Sequence, residues 1–240
     1  LPSMDFDDYD VSGYIQALMD SSYHNSHQAY IQITLDGEAT AKDNNTATVQ
    51  NISTHFCNAY NLNPNNEQMT KLHEIFGSAL LSARYTVKEE QKISTGYTIE
   101  VEIAPITNLI GLENEFSQLR QQAKEEADKA NAPSAWQGQD ESQDEEDGDD
   151  EDGYWGEEGW EDDPTPTPVP TASPSPDKIV DSYELYIDKI LAVLPGKLQN
   201  PDYKPETVVI ALDIRQTKEG DLQLDLNQID IIDQTVMLFK

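Results

Sequence analysis

Cysteine, positive charge and long apolar runs are all scarce in this chain of 240 residues. The single cysteine, Cys57, excludes an intramolecular disulfide framework and any metal site built from cysteines alone. Only 15 Lys and Arg stand against 46 Asp and Glu, a formal net charge of -31. Neutralising phosphates requires clustered cations, so nucleic acid is excluded as a partner, and an anionic membrane surface repels the chain. No apolar run approaches the roughly 18–20 residues of a membrane-crossing helix, so no transmembrane segment is expected. The 12 glycines are scattered singly, which leaves a phosphate-cradling loop without support. A Gly-x-Ser-x-Gly elbow and a His-Glu-x-x-His zinc helix are also missing.

Acidic charge is abundant, and it is concentrated. Within Asp140–Asp163, 15 of 24 residues are acidic and none is basic. Without them 31 acids face 15 bases, a net of -16, so about half of the excess charge sits in a tenth of the chain. Six prolines follow between Pro164 and Pro176, mostly at alternate positions. Each fixes its own φ and pushes its predecessor to extended geometry, the signature of a polyproline-II spacer. The composition therefore predicts an unstructured insert over 132–177 that joins a first piece, 1–131, to a second, 178–240, of one domain.

Outside the insert the apolar residues keep time. Val11, Tyr14, Ile15, Leu18 and Met19 recur at helical spacing behind Asp10, a candidate cap. A shorter segment through Tyr30 and Ile33 follows the break at His24–His27. Thr46–Tyr60 carries a stripe of Val49, Ile52, Phe56 and Ala59, and Asn66 is placed to cap a helix through Leu72, Phe76 and Leu80. The period then becomes two: Tyr97, Ile99, Val101 and Ile103 alternate with polar residues, with Tyr85 and Val87 on the expected hairpin partner and Ser94–Gly96 as the turn. A helix is expected over 108–130, with Glu125 and Lys129 paired on its exposed side. Past the insert, Tyr183, Ile187, Ile190 and Leu194 mark another helix, expected to stop at Pro195. A strand through Val208–Ile214, a turn at Lys218–Asp221, a return strand through Leu222–Leu226 and a short helix over 229–236 complete the chain. The fold class is α+β: helices packed on an antiparallel sheet, in two related helix-then-hairpin halves. An isolated hairpin is marginal in water, so the two are expected to share one sheet. The outline is similar to that of cystatins and nuclear-transport-factor folds.

The stretch from Tyr9 through Ile15 to Tyr23, with Ala83–Val87 and Gly96–Ile103, resembles uncharacterised lipoproteins of Gram-positive gut bacteria, a family whose domain has no assigned function. The resemblance covers about 9–131 and 178–240 and omits the insert. It implies an extracytoplasmic protein held at the cell surface by a lipidated cysteine upstream of residue 1. It supplies no reaction, cofactor or functional residue.

The side chains offer few candidates for chemistry. Dense carboxylates attract hard cations, yet the acidic run fails as a calcium loop: with Gly148 at the sixth position the first is Gln143, and with Gly153 there it is Gly148. Diffuse, weak binding of divalent cations remains open. His24 and His27 could share a metal, but no third ligand is placed by the sequence, and helix-end or surface roles are the simpler account of the four histidines. Cys57 reads as a small buried hydrophobe, and Glu100 and Glu102 as the wet face of a strand. All three tryptophans fall in or beside the insert, where Trp136, Tyr154, Trp155 and Trp160 set rings in an acidic field. Trp is enriched among interface anchors, so these four are candidate partner-docking residues for a basic, apolar-lined groove. The leading expectation is a non-enzymatic binding or adaptor module, without cofactor or metal, for an unknown protein or cell-envelope ligand. The alternatives are a small-molecule or peptide binding protein with a pocket on the sheet face, with or without hydrolysis, and a divalent-cation-responsive surface protein.

Overall fold

The structure, a computed structural model, describes residues 10–132, 179–218 and 222–240. Four helices come first: α1 (Val11–Tyr23), α2 (Gln28–Thr34), α3 (Glu38–Tyr60) and α4 (Asn66–Leu80). Asp10 caps α1 as expected, its carboxylate accepting from the Gly13 amide at 2.7 Å. The cap of α4 is Asn65 rather than Asn66. Its side chain accepts from the Gln68 amide while Gln68 reaches back to the Asn65 amide, so both orphan donors are met by one reciprocal pair. Helix α3 begins at Glu38, well before the apolar stripe, with the Lys42–Glu38 pair in its first turn.

The sheet follows: β1 (Arg84–Val87), β2 (Gln91–Ile93) and β3 (Gly96–Ala104), then β4 (Val208–Gln216) and β5 (Leu222–Leu224) from the second piece. All pairings are antiparallel, in the order β1-β3-β4-β5, with β2 also on β3. The two expected hairpins do share one sheet. The partner across the Ser94-Thr95 turn is β2, which the alternation did not reveal because its three residues are all exposed. Val87 faces Val101 and Gln91 faces Thr98, so three residues oppose two, and one extra residue sits between β1 and β2. Such a bulge sharpens the local twist. Gly96 closes this turn at φ +144°, and a Cβ there would lie 2.0 Å from the Ile214 carbonyl oxygen on β4.

Period-two burial is plain on the central strands. Tyr97, Ile99, Val101 and Ile103 of β3 and Ile210, Leu212 and Ile214 of β4 are buried beneath helices, whereas Glu100, Val209, Ala211, Asp213 and Arg215 are exposed. Lys88 and Glu102 pair at 3.0 Å on that outer face. Helices α5 (Glu113–Asn131) and α6 (Ser182–Leu198) pack together, tied by Lys189–Glu126 at 2.7 Å and Lys197–Glu115 at 2.6 Å. Leu112, Phe116, Ala123 and Ala127 point inward, and α5 starts five residues later than 108. Glu125 takes a hydrogen bond from Gln121.

Pro195 does not stop α6, which continues to Leu198. A proline inside a helix removes one hydrogen bond and crowds the carbonyl four residues back. Here Leu194 and Leu198, four apart and both buried, keep the last turn on the core. Leu226 likewise belongs to α7 (Leu226–Val236) rather than to the return strand, since Asp225 caps the helix by accepting from the Asn227 amide. Phe56 lies at the centre of the core, its ring centroid 5.3 Å from Phe76, 5.4 Å from Phe239 and 6.2 Å from Phe116. Among the described residues no helix is long and apolar enough to cross a membrane.

Candidate functional site

Helical spacing aligns three polar-edged stripes beside the core. On α1, Tyr14, Leu18 and Ser22 recur every four residues. On α3, Asn44, Ala47, Asn51 and Thr54 follow one another at three- and four-residue steps, and α7 contributes Ile229, Asp230 and Asp233. These stripes line a groove of about 650 Å³, to which Tyr30 of α2 and Leu224 of β5 also contribute. The Tyr14 and Tyr30 ring centroids lie 6.2 Å apart.

A hydrogen-bond network forms one wall of the groove. Asn51 donates one amide hydrogen to Asp230 Oδ1 at 2.8 Å and the other to Asp233 Oδ2 at 2.7 Å. The Tyr23 hydroxyl donates to Asp233 Oδ1 at 2.5 Å. His55 Nε2 donates to Asp230 Oδ1 at 2.8 Å, which places a hydrogen on that nitrogen, and Gln234 donates to Asp230 Oδ2 at 2.6 Å. The two carboxylates, three residues apart on α7, differ in environment. Asp233 is 2% exposed, and burial pushes its carboxyl up to about 6 against the pull of the Tyr23 and Asn51 hydrogen bonds. Asp230 is held below the usual carboxylate range, first by the Asn51 hydrogen bond and then by those from His55 and Gln234. One is therefore an anion at any physiological pH, and the other titrates near neutrality. Burial, with the Asp233 carboxylate alongside, drives the Tyr23 phenol far up, so it stays a donor.

A second, smaller network ties α1 to the sheet edge. Tyr85 donates to Asp20 at 2.6 Å and stacks on His24 at 5.0 Å, while His24 Nε2 donates to the Ala83 carbonyl at 2.9 Å. A groove of about 320 Å³ opens beside it along β1, reaching Arg84, Thr86 and Glu102. A third groove, about 600 Å³, runs between α4 and α6 past Ile75, Ala79 and Pro195. The inner face of the sheet is filled by its own apolar side chains and the helices above.

The sequence candidates separate accordingly. His24 and His27 are not drawn together: His24 caps the end of α1, and His27, before α2, bonds Ser21 Oγ at 2.8 Å and Asn25 Oδ1 at 2.8 Å. Both are helix-end histidines. His55 is neither at a helix end nor fully exposed; it sits mid-α3 on Asp230. His73, on α4, has its imidazole pKa lowered by burial. Cys57 is buried, and burial pushes its thiol up to about 11, the reverse of an activated nucleophile. Glu100 and Glu102 lie on the outer face, as expected. Trp136, Tyr154, Trp155 and Trp160 lie outside the described residues. Among the described residues no set of three or more His, Cys, Asp or Glu is arranged to hold a metal. Sequence reading missed Tyr23, Asn51, Asp230 and Asp233. The weak signal available was Asn51 and His55 at i,i+4 beside the α3 stripe.

Comparison with known proteins adds little. No protein-family profile matches the chain, and no curated protein matches it. A crystal structure of a Bacillus subtilis protein described as a putative lipoprotein aligns at a TM-score of 0.44 and 11% identity, covering 98% of this chain and 61% of that one. The chain thus spans less than two thirds of the length of the protein it aligns with.

Proposed function

We propose that this is a binding module of the extracytoplasmic face, carried on a lipid anchor, with the groove between α1, α3 and α7 as its ligand site. The observation that carries the reading is the joining of a concave surface lined by Tyr14 and Tyr30 to a prearranged polar wall. Ligand sites pair an apolar lining with a few fixed polar groups, and here the polar groups are fixed from three different helices. Tyr23, Asn51, His55 and Gln234 all hold their hydrogens toward the two carboxylates, so Asp230 and Asp233 are oriented before any ligand arrives. Such preorganisation lowers the ordering cost of binding. The closed network favours recognition over proton transfer, because each donor already has its acceptor.

Ligand-observed NMR with a library of fragment-sized amines, alcohols and acids tests the site against an Ala47→Trp variant. Ala47 is exposed and lines the groove, so the indole fills it without entering the core. Fragments that bind the native protein and are lost in the variant support the reading. Fragments that bind both equally overturn it.

The anchor rests on the sequence resemblance, and reading the coding sequence upstream of residue 1 checks it: a lipid-attachment cysteine stands there or it does not. For the acidic segment we propose docking of Trp136, Tyr154, Trp155 and Trp160 on a basic partner. The groove of this chain is lined by Asp230 and Asp233 and repels that segment. Pull-down from envelope extracts with and without residues 136–163 tests it, and identical captured proteins would sink it.

A further inference from the structure

We propose that the groove selects small organic amines: a protonated ammonium seated on Asp230, with an apolar or aromatic body along Tyr14, Leu18 and Ile229. The inference rests on the groove being the ligand site and adds the class of ligand. It follows from a count of which hydrogen-bonding capacity is still free. Asn51 has committed both amide hydrogens to the aspartates, and His55 Nε2–H and the Tyr23 hydroxyl are committed likewise. Asn44 donates to Ser21 Oγ at 3.2 Å, and Thr54 donates to the Gln50 carbonyl at 2.8 Å. Asp230, by contrast, keeps one acceptor position on Oδ2, on a side chain that is 41% exposed. A carboxylate has about four acceptor sites, and three of those on Asp230 are in use.

The Asp230–Asp233 wall therefore offers acceptors while its own donors are spent, and a ligand group seated on it must bring N–H groups. Tyr14, Tyr30, Ser22, Thr48 and Gln50 add hydroxyl and amide groups elsewhere in the lining. The ligand must also bring positive charge. Asp230 is ionised, no Lys or Arg lines the groove among the described residues, and an anionic ligand would meet Asp230 and Asp233 without a cation to offset them. Half-buried Tyr14 adds a ring face, on which an ammonium is attracted by the quadrupole. Leu18, Leu224 and Ile229 supply apolar surface that a bare metal ion or a fully hydrated polyamine would leave unused.

Three probes on one phenethyl frame, differing in the terminal group, separate the contributions: phenethylamine, 2-phenylethanol and hydrocinnamate, titrated into the 15N-labelled full chain while amide shifts of Thr48, Asn51 and Asp230 are followed. We expect the amine to bind roughly tenfold or more tighter than the alcohol, the gain of a charge-assisted hydrogen bond, and the acid to leave these resonances unmoved. Asp230→Asn should bring the amine to the level of the alcohol, and Ala47→Trp should abolish both. Equal binding of amine and alcohol to the native chain, both lost in Ala47→Trp, overturns amine selection and leaves the groove standing. Amine binding that survives Ala47→Trp reports general attraction to an acidic surface and overturns both readings. No response to any probe overturns amine selection, with the fragment library judging the groove separately. The native-chain comparison needs no variant, so a poorly folded Asp230→Asn does not shield the proposal.

Discussion

Asp233 is a buried carboxyl whose titration should register in the stability of the fold. Its carboxyl is raised to about 6, so the folded state binds that proton more tightly than the unfolded chain does. The stabilisation is fully present below the ordinary carboxylate range and is lost as pH rises through about 6, a swing of ~3 kcal/mol. Its neighbours from each packed element are Tyr23 of α1, Asn51 and His55 of α3, and Asp230 of α7 itself. Tyr23 and Asn51 donate to Asp233 and pull its pKa down, so Asn51→Ala should move the Asp233 midpoint above 6 in a carbon-detected carboxyl titration. Stability should then fall more steeply between pH 5 and 7 in chemical melts. An unchanged midpoint would show that burial alone sets it.

Gly96 is the other residue with a sharp expectation. Its positive φ and the Ile214 carbonyl at 2.0 Å from a built Cβ leave no room for a side chain. Gly96→Ala should cost at least about 1–3 kcal/mol of backbone strain and loosen the β3–β4 ladder, read as faster amide exchange at Arg215 and Gln216.

At the scale of elements, α4 carries its own start signal. The reciprocal Asn65–Gln68 pair should be worth about 1 kcal/mol, so Asn65→Ala lowers stability by that order in urea melts. Asn66 also precedes the apolar stripe, but it is the first residue inside the helix. The Gln68 partner three residues after Asn65 is the signal that fixes the boundary. The extension of α6 past Pro195 shows the opposite case, in which a strong local stop is overridden by burial of Leu194 and Leu198. Strand β2 was invisible for a related reason: its three exposed residues carry no alternation, and only the β3 edge, continuing beyond β1, gives them a partner.

For the whole molecule, one aromatic residue and one junction carry the clearest tests. Phe56 is fully buried and touches rings from α4, α5 and the C-terminal tail, so Phe56→Ala should cost about 3–5 kcal/mol, the range for emptying a large core site, read as a drop in Tm. The junction lies where the acidic segment leaves the fold. Asn131 donates to the Val180 carbonyl at 2.9 Å and accepts from the Val180 amide at 2.8 Å, so the two ends of that segment are already joined. Replacing residues 134–177 by a short Gly/Ser link should leave the Tm nearly unchanged while removing about half of the excess charge; a large fall would mean that the segment packs on the body.

The sequence by itself determined the elements and their inward faces: the helical stripes, the alternation on β3 and β4, the α+β class and the segregation of negative charge. These follow from local spacing, because a residue's face is set by the period of its own element. The groove and its network could only be decided by tertiary structure. Tyr23 and Asp233 are separated by 210 positions and Asn51 and Asp230 by 179, and each alone is an unremarked polar residue on an amphipathic helix. Packing of α7 against α1 and α3 turned four such residues into one site and gave two similar aspartates opposite shifts. Scarcity of cysteine and of positive charge narrowed the classes of partner; burial and hydrogen bonding decided which carboxylate is enclosed and which is open to solvent.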